Sequence, residues 1–267
     1  MALVMSKAKP TFILSFSRTP VGNTVIVLLA ALAVALGQDC AHGEIDRQFT
    51  KRYHQSFLSA RTNWTAAPTN SVRAWEFARA AFDWAEFATN DTQRAQVAVE
   101  GIDAARKAIL LNPTCAQGHY YLGMNLGQMA RTQLLGALKL VSEMEGCFRS
   151  AALIDPLVDH AGPDRNLGIL YREAPGWPAS IGNRSKARTH LKRSVELGPE
   201  YPANHLELLT ACLDWKDRRT AEKLLPGVEQ CLRNARRAFS GEQWDWSWND
   251  WEQMWRVQQD RFRKLSK

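Results

Sequence analysis

Three phrases of the chain end in the same way at the same interval, and that interval limits the fold more than any other feature. "AARKAILLNP" closes at Pro113, "CFRSAALIDP" at Pro156 and "HLKRSVELGP" at Pro199, a spacing of 43 residues both times. Each phrase has a small residue five before the proline (Ala108, Ala151, Ser194) and an aliphatic two before it (Leu111, Ile154, Leu197). Proline ends a helix because it lacks an N–H and its ring clashes with the preceding turn. Runs rich in Ala, Leu, Arg, Glu and Gln dominate between these stops, with further punctuation at Gly162-Pro163, Pro175 to Pro178 and Pro202. The predicted fold class is therefore all-α, a stack of helix pairs that bury their apolar faces against one another.

After each proline a new helix begins, and two of these helices carry a leucine-glycine pair, Leu122-Gly123 and Leu167-Gly168. A glycine lets helix A approach helix B closely, a small residue on helix B accepts it, and the proline stops helix B. This is the tetratricopeptide arrangement, whose usual period is about 34 residues, so roughly nine extra residues must be housed in each unit. They are expected over Thr132 to Leu140 and Ala174 to Asn183, as extended A–B connections. Four hairpins follow: Val72–Ala88 with Thr92–Leu111, Thr114–Ala130 with Leu134–Ile154, Pro163–Glu173 with Ser185–Leu197, and Ala203–Trp215 with Arg219–Phe239. The predicted organisation is a leader over 1–37, an N-terminal segment over 38–71 with a capping helix at Glu44–Ala60, the repeat domain over 72–239, and a C-terminal helix over 240–267.

The leader combines Lys7, Lys9 and Arg18 with an apolar run from Val25 to Leu36. That run is too short for a membrane span, which needs about 20 residues. With Ala35-Leu36-Gly37 it forms a secretory signal pattern, and an uncleaved signal anchor is the alternative. Its removal takes the formal charge from +7 to +4. The expected location is the periplasm or cell envelope. Cys40 follows Gln38-Asp39 rather than a small residue, which departs from a lipoprotein signal. The cysteines at 40, 115, 147, 212 and 231 show no metal-ligand spacing, so no metal site is expected. No dense basic block exists beyond Arg256, Arg261, Arg263, Lys264 and Lys267, and nucleic acid is not an expected partner.

No Ser/His/Asp signature, phosphate-binding glycine loop or HExxH occurs, so neither an enzyme nor a cofactor is expected. His119, His160, His190 and His205 are scattered, and His119 and His205 occupy equivalent repeat positions. Trp244, Trp248, Trp251 and Trp255 recur at helical spacing. They predict a C-terminal capping helix packed on the last hairpin, or else an oligomer or membrane-interface surface.

In such repeats helix A lines a concave face. That rule selects Gln117, Tyr120, Tyr121, Met124 and Gln128 in the second hairpin. It selects Arg165 and Asn166 in the third, with Arg172 alongside, and Glu207, Thr210 and Asp214 in the fourth. Their mixture of aromatics, amides and charges suits a peptide segment or a partner's loop, and equally an ordinary solvated face.

The segment from Gly162 to Asn204 carries more than generic repeats. It contains Gly162-Pro163, Arg165, Leu167-Gly168, Leu170-Tyr171, then Ala174-Pro175-Gly176-Trp177-Pro178, Ser180-Ile181-Gly182, and finally Leu197, Pro199, Tyr201-Pro202 and Asn204. This resembles the tetratricopeptide T-component family of TRAP transporters, the tripartite ATP-independent periplasmic type. The resemblance implies an exported scaffold partnering a periplasmic solute-binding protein. A self-assembling, membrane-anchored envelope protein is the alternative. A weaker similarity exists to eukaryotic microtubule-regulator proteins with extended tetratricopeptide hairpins, and the leader argues against that relative. In the motif loop, Pro175, Gly176 and Pro178 fix a tight turn, Trp177 is expected to plug the space between helices, and Ser185 to cap the next helix. Ser180, Ile181 and Gly182 complete the loop, which serves either as a rigid connection or as a partner contact.

Overall fold

The structure, a computed structural model, describes residues 39–133 and 137–265, with side chains described from Gln48 onward. The leader and Cys40's side chain lie outside the described residues. Ten α-helices and no strand occur among them, and none of the helices is long and apolar enough to cross a membrane.

α1 runs Asp39–Thr65, longer than the expected capping helix. Then come α2 (Ser71–Ala85), α3 (Asp91–Leu111), α4 (Ala116–Ala130), α5 (Ala137–Ile154), α6 (Gly162–Glu173), α7 (Arg184–Leu197), α8 (Pro202–Asp214), α9 (Arg218–Ala238) and α10 (Asp245–Leu265). Sequential helices pack as antiparallel neighbours, α2 on α3, α4 on α5, α6 on α7 and α8 on α9, so the chain is an all-α stack of four hairpins.

Local chemistry sets the ends of these helices. Asn70 Oδ1 accepts the N–H groups of Val72 and Arg73, and Asn90 Oδ1 accepts that of Gln93, whose own Oε1 takes the Thr89 N–H. Asn183 caps α7 by accepting the Lys186 N–H at 2.9 Å, so it replaces Ser185 as the cap. An Asn cap contributes about 1 kcal/mol by satisfying an N–H with no intrahelical partner. At the other end, α3, α5 and α7 stop in one register. The N–H groups of Asn112, Asp155 and Gly198 donate to Ala108, Ala151 and Ser194, and a proline follows each.

The leucine-glycine pairs act as anticipated. A Cβ on Gly123 would lie 2.7 Å from the Phe148 ring, and one on Gly168 would lie 2.5 Å from Leu191 Cγ and 3.1 Å from its backbone N. The small partners Ala108, Ala151 and Ser194 are fully buried. One apolar core runs from α1 to α7 and reaches Leu208 and Ala211 of α8, and a second joins α8, α9 and α10.

The C-terminal helix packs its tryptophans inward. Trp244, Trp248 and Trp251 are buried and Trp255 is half-buried. Tyr201 meets Trp251 edge-on at 5.2 Å, and Trp248 Nε1 donates to the Phe239 carbonyl at 2.6 Å. The side chains that an oligomer or membrane surface would use are thus interior. The two ends of the stack also meet. Phe49 lies edge-on to Trp246 at 5.1 Å, Phe87 lies 4.9 Å from the same ring, and Arg52 donates to the Glu242 carbonyl at 2.6 Å.

Candidate functional site

The residues expected to line an open groove are mostly inside the protein. Tyr120, Tyr121, Met124, Gln128, Arg165, Asn166 and Glu207 are buried, Gln117, Arg172 and Thr210 are partly covered, and Asp214 is exposed. Two things fill the space. In the fourth hairpin α10 lies along α8, where Gln258 Nε2 donates to the Leu206 carbonyl and to Thr210 Oγ1, and Arg261 donates to Asp214. In the second hairpin the ring of Tyr121 stacks on Trp75, and Gln128 bonds Glu86 while accepting from Arg94. A groove rule for open repeats therefore misplaces these side chains in a stack whose ends meet.

Arg165 is the centre of a buried polar network. Its guanidinium donates to Asp159 Oδ2 at 2.8 Å and to Asn204 Oδ1 at 2.9 Å, and also to the carbonyls of Asp159 and His160. The Arg165 and Asp159 side chains are only 4% and 3% exposed. Tyr120 donates to the same Asp159 oxygen at 2.6 Å and accepts from Asn166. Burial, reinforced by the Asp159 charge, pushes the Tyr120 phenol well up. This network holds the connection between α5 and α6, where Asp159, His160 and Ala161 have φ of 53°, 54° and 62°. Left-handed backbone costs a non-glycine residue about 1–2 kcal/mol, so this turn exists because the network fixes it. The role of Arg165 is structural in this setting.

A second buried cluster centres on Arg172, which donates to Glu207 at 2.8 Å and to Glu173 at 2.7 Å. Four of the six histidines take structural places. His119 and His205, one on α4 and one on α8, each bond the carbonyl of the proline six residues earlier. His160 stacks on Tyr201 at 4.5 Å, and His190 pairs with Asp164 at 2.8 Å. Glu143 and Glu145 pair with Arg106 and Arg149.

Open space lies instead between α1 and α2. A cleft of about 700 Å³ has Arg52, Tyr53, Gln55, Ser56, Ser59 and Asn63 on one wall. Trp75, Glu76, Arg79 and Asp83 form the other, and Glu242 and Gln243 stand at the rim. Arg79 pairs with Asp83 at 3.7 Å across one turn of α2. Burial, with the Asp83 charge next, pushes the Tyr53 phenol up to about 12, so it stays a neutral donor. The wall on α1 was missed by repeat reasoning because α1 precedes the first repeat. A signal existed: Arg52, Ser56, Ser59 and Asn63 recur at spacings of 4, 3 and 4, one polar stripe of a helix.

The motif loop behaves differently from its expected role. Pro175, Gly176, Trp177 and Pro178 are exposed, and Ser180, Ile181 and Gly182 are half-buried. Trp177 does not plug the space between helices: it is 89% exposed. The turn is closed by the Gly182 N–H donating to the Pro175 carbonyl at 2.8 Å, which leaves the indole on the outside.

Residues 42–138 match a sequence model of the family described as regulator of microtubule dynamics protein 1-3. The match covers α1 to α4 and the start of α5, less than half of the chain. No curated protein matches. The match overturns the resemblance to the TRAP transporter T component. That resemblance was carried by Gly162 to Asn204 but extended over roughly residues 75 to 225, so it overlaps the matched span, where its leucine-glycine and proline signals are ones that helix packing imposes on any extended tetratricopeptide hairpin. Over the segment that contains the walls of the cleft, this chain is similar to the regulator of microtubule dynamics family.

Proposed function

We propose that this chain is a tetratricopeptide-type scaffold that binds a segment of a partner protein, and that it is not an enzyme. The observation that carries the proposal is the cleft between α1 and α2. One wall offers hydroxyls and amides from Ser56, Ser59, Gln55 and Asn63, and the other offers the Trp75 ring beside charges of both signs. Hydroxyls and amides meet a peptide backbone, an indole covers a side chain, and paired charges fix register. A photo-crosslinking residue at Ser59 tests it. A discrete adduct in extract of the native cell, absent when the same group replaces Glu222 on α9 and abolished by Ser56→Arg, supports cleft binding. No adduct at Ser59 overturns it.

Export through the leader over 1–37 belongs to the same proposal. Cell fractionation with intact mass measurement supports it if the species begins at Gln38, and retention of the leader in the cytosol counts against it. A second reading draws on the family match alone: a part in microtubule dynamics, with the chain retained in the cell. Co-sedimentation with polymerised tubulin tests that reading.

A further inference from the structure

The loop from Pro175 to Asn183 joins α6 to α7 and is fixed along its length. The Gly182 N–H donates to Pro175 O at 2.8 Å and the Asn183 N–H to Tyr171 O at 2.9 Å. The Ala179 and Ser180 N–H groups both turn back to Gly176 O. Gly182 sits so close to the start of the loop that a Cβ there would lie 2.1 Å from the Ala174 carbonyl oxygen. A loop held in this way does not bend its apex inward. Of the ten tryptophans, Trp177 is exposed and every other is at least half-buried. A large indole presented to water on a fixed support is the residue type and setting that dominates binding energy in protein interfaces.

The helix that follows has a strong charge. α7 holds five basic residues and a single acid in 14 residues. Arg184, Arg188 and Lys192 recur every four residues and so share a stripe. Arg188 is engaged by Asp217 and Arg193 by Asp164. Arg184 and Lys186 instead lie over the rings of Trp215 and Tyr171, at 5.0 and 5.1 Å. Arg184, Lys186 and Lys192 are exposed, and none has an ion-pair partner among the described residues.

We propose that Trp177 and the basic stripe of α7 form a second docking surface, separate from the cleft, for an acidic segment of a partner protein. The indole is the apolar anchor. Arg184 and Lys192, the exposed members of the stripe without an ion-pair partner, are the electrostatic complement that selects carboxylates and speeds encounter. An anionic membrane would also meet basic charge. However, a membrane-seated loop buries a broad apolar face, and this loop offers one large apolar side chain among Pro175, Gly176, Pro178 and Ala179.

The test uses the full chain and fluorescence anisotropy with a labelled glutamate-rich peptide carrying a central phenylalanine. Its lysine-rich counterpart and phosphatidylserine vesicles are run beside it. The acidic peptide should bind, more weakly as salt rises. Trp177→Ala should weaken it about tenfold or more, with Trp177→Phe recovering part of the loss. Arg184→Glu with Lys192→Glu should weaken it to a similar extent. Trp177 makes so little contact that its variants should keep the helical circular dichroism of the parent. Absence of binding to the acidic peptide, binding indifferent to Trp177→Ala, or Trp177-dependent binding to vesicles and not to peptide would each overturn the proposal. None of these outcomes touches the crosslink at Ser59, so this surface and the cleft stand or fall separately.

Discussion

Adding a single methyl group to the chain should have opposite effects at two glycines that both lie inside helices. At Gly168 on α6 the new Cβ would fall 2.5 Å from Leu191 Cγ and 3.1 Å from the Leu191 backbone N. Leu191 is fully buried, so its side chain has nowhere to go, and a backbone atom moves only with its helix. Overpacking of this kind costs about 1–3 kcal/mol, and the upper end applies where backbone must shift. Replacing helical glycine by alanine returns about 1 kcal/mol in helix propensity. The net cost of Gly168→Ala is therefore about 2 kcal/mol, which for a chain of this size lowers Tm by about 4–8 °C. Gly146 on α5 has nothing within 4 Å of its notional Cβ. Gly146→Ala keeps only the propensity gain and should raise Tm by about 2–4 °C. Thermal melts of both variants beside the parent, followed by circular dichroism in one buffer, make the comparison. If Gly168→Ala melts at or above the parent, α6 and α7 do not approach as closely as described, and the packing account of the leucine-glycine pair is wrong.

Three further outcomes follow from individual charged groups and thiols. Asp159→Asn leaves the Arg165 guanidinium buried without its carboxylate, which should cost about 3 kcal/mol; a urea midpoint unchanged from the parent would refute the structural role of the network. Asp217 accepts from Arg188 at 2.8 Å, and that bond holds its carboxyl below the usual carboxylate range. A lowered folded pKa means the stabilisation is complete above the unfolded value and is lost as pH falls through the folded one. Asp217→Asn should thus flatten the loss of stability below about pH 4, measured as Tm against pH. Burial pushes the Cys147 and Cys231 thiols up to about 12 and also raises Cys212. In a Cys40→Ser variant, Ellman's reagent at pH 8 should label slowly until denaturant exposes the thiols; rapid native labelling would contradict the buried placement.

The helices were legible in the sequence because their signals are local. Pro113, Pro156 and Pro199 stop helices wherever they stand, and Gly123 and Gly168 announce close approach by their lack of a side chain. The turn at Asp159, His160 and Ala161 was not legible, since none of the three is glycine and their left-handed backbone depends on Arg165 and Asn204 from other helices. Repeat positions place Arg165 and Glu207 on an open groove for a related reason: those positions are visible in one dimension, whereas the Asp159 and Asn204 partners of Arg165 and the packing of α10 on α8 are not. Trp177 fails in the opposite direction. Its flanking prolines reveal a turn, but the side of the turn that faces water is decided by the Gly182-to-Pro175 bond.

The meeting of α1 with the turn before α10 changes how the molecule comes apart. A row of repeats normally frays from whichever end is weaker, because each unit leans only on its neighbours. Here Arg52 grips the Glu242 carbonyl across 190 residues of sequence, and Trp246 is shared by Phe49 and Phe87. These contacts pin the first described helix to the start of the last. Damage to the last helix should then be felt in the first, and the amides of α1 and α10 should lose hydrogen-exchange protection together.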